Sequence, residues 1–299
     1  MNLVLEQAVD PLPIKELPHY TLGCCVWQRH ALTDIIYAYY ARVRAEVADV
    51  VKLDLIAIGS EGRQGEAERH GWAYAERPNQ PLGAKHNALA EHVGETGSRG
   101  LIVIGSDDLI SAAWVRQCVK DLETGADIVG LIGFAFFDLH TGSLEVYSSP
   151  RKGREPPMLM GAGRGMSRRA LETCNWKPWP EQIMKTLDRE SYWNITKRLP
   201  KACIVRHPFG FMEELVGVGI KGGGTNIWSY KKIAKEKQLP PLPAGWIEEH
   251  FGSDVVRELS ALRLSLPPPP LRRRRPKPSS RARAQARALA HARAYENRR

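Results

Sequence analysis

The sequence predicts an α/β fold, a three-layer sandwich in which helices cover both faces of a mainly parallel central sheet. First, short apolar runs alternate with segments of helical periodicity through the first half of the chain, as is typical of parallel α/β sheets. Second, the run at residues 101–104 is continuous and rich in β-branched residues, as strands buried on both faces are. Third, 43% of the residues are hydrophobic, which is enough for a substantial core.

Each element follows from a local pattern. Apolar runs predict strands at residues 22–26, 53–58, 101–104, 128–137 and 144–147. Apolar residues at spacings of three and four predict helices at residues 32–50, 82–93, 112–123 and 167–174. In the first of these helices the shared face is formed by Ile35, Ile36, Tyr39, Val43 and Val47.

The positive charge of the chain is concentrated at its C-terminal end. The 299 residues carry a formal net charge of +10, and residues 266–299 contain 11 basic residues and one acidic residue. Residues 1–265 therefore have no net charge. Because the proline run at 267–270 cannot continue a helix, we predict a globular domain at 1–265 and a disordered, basic Pro/Arg-rich tail at 266–299. A tract such as Arg272, Arg273, Arg274 and Arg275 is typical of nucleic-acid contacts; an anionic membrane surface and a merely solubilising tail are the alternatives.

The same counts exclude several classes of protein. Residues 1–265, which have no net charge, are not a histone-like basic domain. The chain has no run of about 18 apolar residues, so no membrane span is predicted. The N-terminal residues lack the basic segment of a signal peptide. The cysteines have no zinc-type spacing and are expected to be reduced and mostly buried; they are Cys24, Cys25, Cys118, Cys174 and Cys203. We therefore predict a cytoplasmic protein.

Residues that follow the predicted strands are the first candidates for a site, because parallel α/β sheets bind ligands at the carboxyl ends of their strands. They are Trp27, Gln28 and Arg29, then Gly59, Ser60 and Glu61, then Asp107 and Asp108. Two adjacent carboxylates after a buried strand repel each other and are costly to bury. A cation such as Mn²⁺ or Mg²⁺ would relieve both costs. The alternative is that Asp108 caps the next helix while Asp107 faces water.

The segment LIVIGSDDLI at residues 101–110 resembles the strand and DXD element of GT-A glycosyltransferases, which have a Rossmann-like fold, and particularly the broad family 2 type. Three segments resemble other parts of that family in matching order: CCVWQRHALTDII the first strand and nucleotide-contacting turn, LDLIAIGSEG the second strand, and NQPLGAKHNALAEHV the glycine-containing start of a helix. Together they span roughly residues 20–230. Ser106 stands in place of the usual first acid, and Ile58 replaces an acid at the end of the second strand.

The resemblance implies a metal-dependent enzyme that takes a sugar from a nucleotide-sugar, with a UDP-sugar as the first candidate. It implies that Lys85 and Asn87 approach the nucleotide and that the two aspartates bind Mn²⁺ or Mg²⁺. His207 would be a further metal ligand; the alternative is a structural histidine. Lys221 precedes three consecutive glycines and would hold the departing diphosphate, unless this loop is a simple linker.

The resemblance also implies the acceptor side of the site. Asp188 would remove the proton of the acceptor hydroxyl, and Glu190 lies about 200° away on a helix, so both cannot face one site. The glycine-containing segment 161–169 would line the acceptor side through Arg164. Trp176 and Trp179 would offer aromatic faces there. The alternatives are a solvated helix for Asp188 and a structural turn for residues 161–169.

The basic tail suggests DNA as the acceptor. Phage-type glycosyltransferases that decorate hydroxymethylated pyrimidines in DNA are the similar class, and such an enzyme would act in the host cytoplasm. Three alternatives stay open: a glycosyltransferase with a saccharide or lipid acceptor, a nucleotidyltransferase, and a non-enzymatic nucleic-acid-binding protein. A nucleotidyltransferase usually has a glycine-rich loop after the first strand, where this chain has WQRHALTD.

Overall fold

The computed structural model describes residues 16–149, 156–210, 214–222 and 241–266. The predicted tail with residues 272–275, and residues 223–226 of the glycine-rich loop, lie outside these ranges. The described strands are β1 (His19–Cys25), β2 (Lys52–Gly59), β3 (Ala73–Glu76), β4 (Gly100–Gly105), β5 (Asp108–Ile110), β6 (Ile128–Leu131), β7 (Gly133–Asp138), β8 (Leu144–Ser148), β9 (Arg164–Ser167), β10 (Ile204–His207) and β11 (Gly217–Lys221). The helices are α1 (His30–Glu46), α2 (Gln64–Glu68), α3 (Leu82–Thr96), α4 (Ala112–Glu123), α5 (Arg168–Thr173), α6 (Leu187–Arg198), α7 (Trp246–Phe251) and α8 (Ser253–Ser265).

The central sheet has the strand order β10-β6-β9-β4-β1-β2-β3. Its neighbouring strands are parallel, except that β9 is antiparallel to both β4 and β6. The predicted α/β fold with a mainly parallel sheet is therefore confirmed. The order puts β1 and β4 side by side near the middle, so the turns that follow them meet at one edge.

A second sheet has the order β5-β11-β7-β8. Its presence corrects the single strand predicted at residues 128–137. The chain leaves the central sheet at Ile132, and Gly133–Asp138 joins the second sheet, where β7 pairs in parallel with β11. The second sheet thereby brings the end of β11 next to the end of β4.

Apolar side chains fill both faces of the central sheet. Ile102 and Ile104 of β4 face the layer that contains α1 and α4, whereas Leu101 and Val103 face the layer that contains α3, α5 and α6. This alternation makes the three layers. All five cysteines are free thiols, and Cys203 is exposed. In the described residues, no helix combines the length and the apolar character that a membrane crossing requires.

Candidate functional site

The two aspartates predicted to bind a metal follow the carboxyl end of β4: Asp107 lies between β4 and β5, and Asp108 is the first residue of β5. The Asp108 carboxylate accepts a hydrogen bond from the Gly105 N–H at 3.1 Å, and the Asp107 carbonyl accepts one from the Ile220 N–H at 2.6 Å. The Asp107 side chain is 12% exposed and the Asp108 side chain is 14% exposed. The alternative of a helix cap and a solvated carboxylate is therefore wrong; Ser111 caps α4 through its hydroxyl group.

Two cationic side chains contact Asp107. Arg29 Nη1 lies 2.9 Å and Lys221 Nζ lies 2.7 Å from Asp107 Oδ2, and Lys221 Nζ lies 3.8 Å from Asp108 Oδ1. Arg29 comes from the turn after β1, where Gln28 and Arg29 have left-handed backbone conformations with φ of 55° and 53°. Lys221 comes from the end of β11. The structure thus joins the predicted pair of aspartates with Arg29 and Lys221, which come from two other segments of the chain.

These contacts determine the charges of the cluster. Burial alone would raise the pKa of Asp107, but the positive charges of Lys221 and Arg29 outweigh it, so this pKa lies below its usual value. Burial, and then the charge of Asp107, raises the pKa of Asp108 to about 7. Burial would lower the pKa of Lys221, yet the two carboxylates hold it above its usual value. At neutral pH the cluster therefore has two cations, one carboxylate and one carboxyl group that readily exchanges its proton.

Asp188, the predicted general base, lies in the first turn of α6. Its backbone carbonyl accepts hydrogen bonds from Arg164 Nη1 at 2.6 Å and from Ser191 Oγ at 3.2 Å. Its carboxylate packs against the backbone of Gly161, where an added Cβ would stand 1.9 Å from Oδ1. Only glycine at position 161 leaves room for this position of Asp188.

Two cavities meet at Asp108 and Asp188. The larger, of about 300 Å³, has walls from β7, β8 and residues 158–162. The smaller, of about 140 Å³, has walls from the end of β4, His86, Trp179 and the start of α6. Among the residues that the structure describes, four line both cavities: Asp108, Gly161, Ala162 and Asp188. A group on Asp188 is therefore accessible from both sides.

The ends of β1 and β2 form a third part of the site. The Gln28 N–H donates to Glu61 Oε2 at 2.7 Å, which joins the two turns. Trp27 is 39% exposed. It lines a small depression of about 10 Å³ together with Gln28, Ser60, Glu61, Tyr37 and Tyr74. Gly59 gives room to Tyr74, whose hydroxyl would lie 1.9 Å from an added Cβ.

Lys85 and Asn87 have structural partners, and their contact with the nucleotide stays a prediction. Lys85 Nζ donates to Val26 O at 2.6 Å, Ser60 Oγ at 3.1 Å and Asn79 Oδ1 at 3.1 Å. An ammonium group has three protons, so all of them are used. The Asn87 amide donates to the Trp179 carbonyl at 2.9 Å and accepts from its N–H at 3.0 Å. Both side chains hold the surrounding turns in place.

His207 and Trp176 lie away from the cluster, which corrects their predicted roles. His207 Nε2 pairs with Asp121 Oδ2 at 2.6 Å, and β10 is three strands from β4, or about 14 Å at the usual strand spacing. It is not placed to complete a metal site with the aspartates. Trp176 packs on Gly94 of α3 and beneath the Arg168 guanidinium. Gly94 is ~18 Å along the helix from its start.

Arg164 and Trp179 lie beside the cavities but are buried, with 2% and 3% exposed. The Arg164 guanidinium donates to the carbonyls of Asp188 and Leu159 and to Ser191 Oγ. These contacts make Arg164 a residue that positions Asp188; its binding to the acceptor stays a prediction, since it also lines the smaller cavity. Trp179 lines the smaller cavity and not the larger one among the described residues.

The sequence analysis missed His86, which lines the smaller cavity with Asp188. His86 Nδ1 lies 2.9 Å from the Leu82 carbonyl. A carbonyl only accepts, so Nδ1 carries the proton of the neutral ring and Nε2 is an acceptor. Burial holds the pKa of His86 below its usual value, which favours that neutral ring. The sequence clue was the position of His86 near the start of α3, a helix that begins at the sheet edge where ligands are expected.

The donor set fits a divalent cation only in part. Two adjacent carboxylates with oxygen from a bound diphosphate are a normal environment for Mg²⁺. In the parts of the chain that the structure describes, however, no third His, Cys, Asp or Glu joins them. Asp107 Oδ2 is also occupied by Arg29 and Lys221. A cation at Asp107 and Asp108 would therefore need phosphate oxygens and a displaced Lys221.

No protein-family model and no curated protein matches the chain. Solved structures are similar to it in fold. One is glucosyl-3-phosphoglycerate synthase from Mycobacterium tuberculosis with Mn²⁺, UDP-glucose and phosphoglyceric acid, at 14% identity over 84% of this chain and 81% of that one, TM-score 0.43. Another is a mannosyltransferase from Pyrobaculum calidifontis with GDP-Man and Mn²⁺, at 13% identity over 98% and 86%, TM-score 0.46. A third is CMP:2-keto-3-deoxy-manno-octonic acid synthetase with CTP, at 11% identity over 74% and 97%, TM-score 0.41. The likeness concerns the fold, and the site residues rest on the geometry above.

Proposed function

We propose that the protein is a glycosyltransferase that moves a sugar from a nucleotide-sugar to an acceptor hydroxyl. The observation that supports this most is that Asp188 lines both cavities together with Asp108, and that Lys221 lines the larger one. Such a reaction needs a base within reach of the acceptor hydroxyl. It also needs positive charge where the diphosphate departs.

The smaller cavity is suited to the transferred sugar. Its volume of about 140 Å³ is close to the ~150 Å³ that holds benzene in an engineered protein. A sugar is larger than benzene, so part of it would extend into the adjoining larger cavity. His86 Nε2 and the Asp188 carboxylate are acceptors there, which match the hydroxyl groups of a sugar. The apolar wall is the buried ring of Trp179.

The nucleoside would lie at the ends of β1 and β2. Trp27 offers an exposed aromatic face to the base. Gln28, Ser60 and Glu61 surround the depression beside it, which would have to widen to hold a base. Arg29 and Lys221 lie between this depression and the cavities. When a nucleotide-sugar binds, its diphosphate would replace Asp107 as their ion-pair partner. Mn²⁺ or Mg²⁺ held by Asp107 and Asp108 would neutralise diphosphate charge when bound.

In the proposed reaction the Asp188 carboxylate accepts the proton of the acceptor hydroxyl. The acceptor oxygen bonds to the anomeric carbon, the bond from that carbon to the diphosphate oxygen breaks, and the nucleoside diphosphate leaves with the electron pair. Lys221 and Arg29 stabilise its charge. The loss of one such preorganised group typically lowers kcat by about 10²–10³.

The test is a panel of nucleotide-sugars in which nucleoside diphosphate release and product mass are both measured. Asp188→Asn is expected to lose transfer and still bind the nucleotide-sugar. Glu190→Gln is the matched control, because Glu190 lies on the same helix turn and accepts instead from Arg189 at 3.0 Å. Equal loss in both variants would contradict the role of Asp188.

The same panel tests the nucleotidyltransferase alternative. An enzyme of that class would release pyrophosphate from a nucleoside triphosphate in the presence of a sugar acid or sugar phosphate. Pyrophosphate release without any turnover of nucleotide-sugars would replace our proposal.

For the acceptor, the basic tail supports DNA with hydroxymethylated pyrimidines. The residues concerned, 272–275, lie outside the described ranges, so their nucleic-acid binding and the cytoplasmic location stay predictions. The assay compares the full chain with a chain that ends at Leu266 on hydroxymethyl-pyrimidine DNA. A truncated chain that modifies DNA equally well at 0.15 M salt would contradict a role of the tail, since phosphate contacts are salt-dependent.

A further inference from the structure

Lys221 approaches the carboxylates of both aspartates, as a bound cation would. Its Nζ atom is 2.7 Å from Asp107 Oδ2 and 3.8 Å from Asp108 Oδ1. The Lys221 side chain is only 11% exposed, so solvent ions screen these contacts weakly. An ammonium group is a compact point charge. Lys221 therefore already neutralises part of the negative charge that would attract Mn²⁺ or Mg²⁺.

The backbone of β11 brings Lys221 to the aspartates. Gly219 pairs with Asp108 across the two strands. The Ile220 N–H donates to the Asp107 carbonyl at 2.6 Å. Glycine at position 219 also leaves room for the charged groups, because an added Cβ would lie 3.0 Å from both Asp108 Oδ1 and Lys221 Nζ. The second sheet thus fixes the backbone of Lys221 beside both aspartates, while its four-carbon stem can still change rotamer.

The larger cavity offers the Lys221 ammonium group a second position. Lys221 lines this cavity, of about 300 Å³, and its Nζ atom lies 5.3 Å from the centroid of the Phe136 ring, within the distance at which a cation and a ring attract each other. A diphosphate carries more negative charge than one carboxylate. A diphosphate bound beside this cavity would therefore draw the ammonium group away from Asp107.

We propose that Lys221 occupies the cation site of the protein without nucleotide and leaves it only when its ammonium group pairs with a bound diphosphate. Mn²⁺ or Mg²⁺ then binds weakly by itself and tightly together with a nucleoside diphosphate. This rests on the proposed function, since the diphosphate is that of the nucleotide-sugar, and it adds the order in which the site is filled. The two ligands tighten each other, because a coupling between two sites is reciprocal.

The first experiment measures Mn²⁺ binding to the full chain without nucleotide, from the electron paramagnetic resonance signal of free Mn²⁺ at pH 7.5. Lys221→Met is expected to bind Mn²⁺ at least about tenfold more tightly than the parent chain, because a close positive charge that repels the ion has been removed. Lys221→Gln is expected to do the same, since its amide is uncharged and can still donate to Asp107. Thermal unfolding of each variant identifies misfolded protein.

The matched control is Lys52→Met. It removes the same charge from an exposed residue at the start of β2, and ~23 Å of strand separates it from Gly59 at the carboxyl end, so its Mn²⁺ affinity should equal that of the parent. Adding Asp108→Asn to Lys221→Met should cancel the gain, which assigns the bound ion to the aspartates. The proposal is overturned if the folded Lys221 variants bind Mn²⁺ no more tightly than the parent, or if the gain survives Asp108→Asn.

The second experiment repeats the titration with saturating UDP, GDP, ADP or CDP and corrects for the Mn²⁺ that free nucleotide binds. At least one of them is expected to tighten Mn²⁺ binding to the parent chain by about tenfold or more, within the usual range for coupled sites. The factor should be smaller in Lys221→Met, where no lysine has to leave. Equal factors in both proteins, or no tightening by any of the nucleotides, would contradict the proposal.

These outcomes separate the role of Lys221 from the proposed function. If nucleotide-sugars are turned over but the Lys221 variants bind Mn²⁺ like the parent, the role of Lys221 is overturned and glycosyl transfer stays intact. If the variants bind Mn²⁺ more tightly but no nucleotide-sugar is turned over, the role of Lys221 is supported and the result counts against glycosyl transfer.

Discussion

Neutralising Asp108 is expected to stabilise the metal-free protein while it abolishes transfer. Burial, and then Asp107, raises the pKa of Asp108 to about 7, although Lys221 and Arg29 pull it down and Asp188 adds a further increase. The unfolded chain has the usual value of 3.8. Between these two values the folded protein binds more protons than the unfolded chain, so this residue makes stability fall as pH rises.

The size of the effect follows from that difference. At ~1.4 kcal/mol per pKa unit, an ionised Asp108 costs at most about 4 kcal/mol at pH 8. Asparagine has a similar volume, and its oxygen can still accept from the Gly105 N–H. We expect Asp108→Asn to recover about half, or ~2 kcal/mol, which raises Tm by about 4–8 °C for a domain of this size.

The assay is thermal unfolding in EDTA at pH 8 and pH 4.5, with Asp107→Asn as the matched control. The gain from Asp108→Asn should shrink to roughly a quarter at pH 4.5, where the charge is mostly absent from the folded protein. Asp107→Asn should instead lower stability at both pH values by about 3 kcal/mol, because it leaves Lys221 and Arg29 without their carboxylate. A gain from Asp108→Asn that is the same at both pH values, or a loss at pH 8, would refute the reasoning.

Three further predictions follow from the contacts. Arg164→Met should lower kcat and reduce the free energy of unfolding by about 3 kcal/mol, because the buried carbonyls of Asp188 and Leu159 lose a charged partner. Steady-state kinetics measure the first effect and denaturant unfolding the second. His86→Ala should lower kcat about 10–100-fold while His86→Gln keeps part of it, since the glutamine oxygen can accept as Nε2 does; equal losses would contradict an acceptor role. His207→Phe should lower Tm by a few degrees through loss of the bond to Asp121, and an altered Mn²⁺ dependence of transfer would contradict our correction.

Periodicity predicted the large elements well and the small ones poorly. The helices α1, α3 and α4 follow from helical periodicity, and the strands β1, β2 and β4 follow from apolar runs that are largely buried. The helix α8 was not predicted. β9 reads RGMS and has no apolar run, yet it lies in the middle of the sheet. Gly165 makes this possible, because an added Cβ would lie 2.3 Å from Cys118 Sγ. This fit depends on Cys118 of α4, which lies 47 residues earlier in the chain. A local sequence pattern around β9 therefore cannot indicate it.

The strand-end rule located the acidic cluster but not the partners of the other polar residues. Lys85 and Arg164 became candidates for ligand contact through the resemblance to GT-A glycosyltransferases. Each instead satisfies backbone oxygens that the folded chain brings from far away, Val26 for Lys85 and Asp188 for Arg164. Unpaired backbone groups at strand ends require partners, and the sequence does not say which long side chain supplies them.

Stability alone does not account for the cluster of Arg29, Asp107, Asp108 and Lys221. Buried ion pairs can often be replaced by apolar residues of similar volume without loss of stability, and a carboxyl group with a raised pKa lowers the stability of the fold above pH 4. Left-handed backbone at Gln28 and Arg29 costs roughly 1–3 kcal/mol per residue. Such costs collect where a ligand compensates them. A diphosphate would compensate these costs here by pairing with Arg29 and Lys221 in place of Asp107. A cation would compensate them by pairing with the two aspartates in place of Lys221 and Arg29.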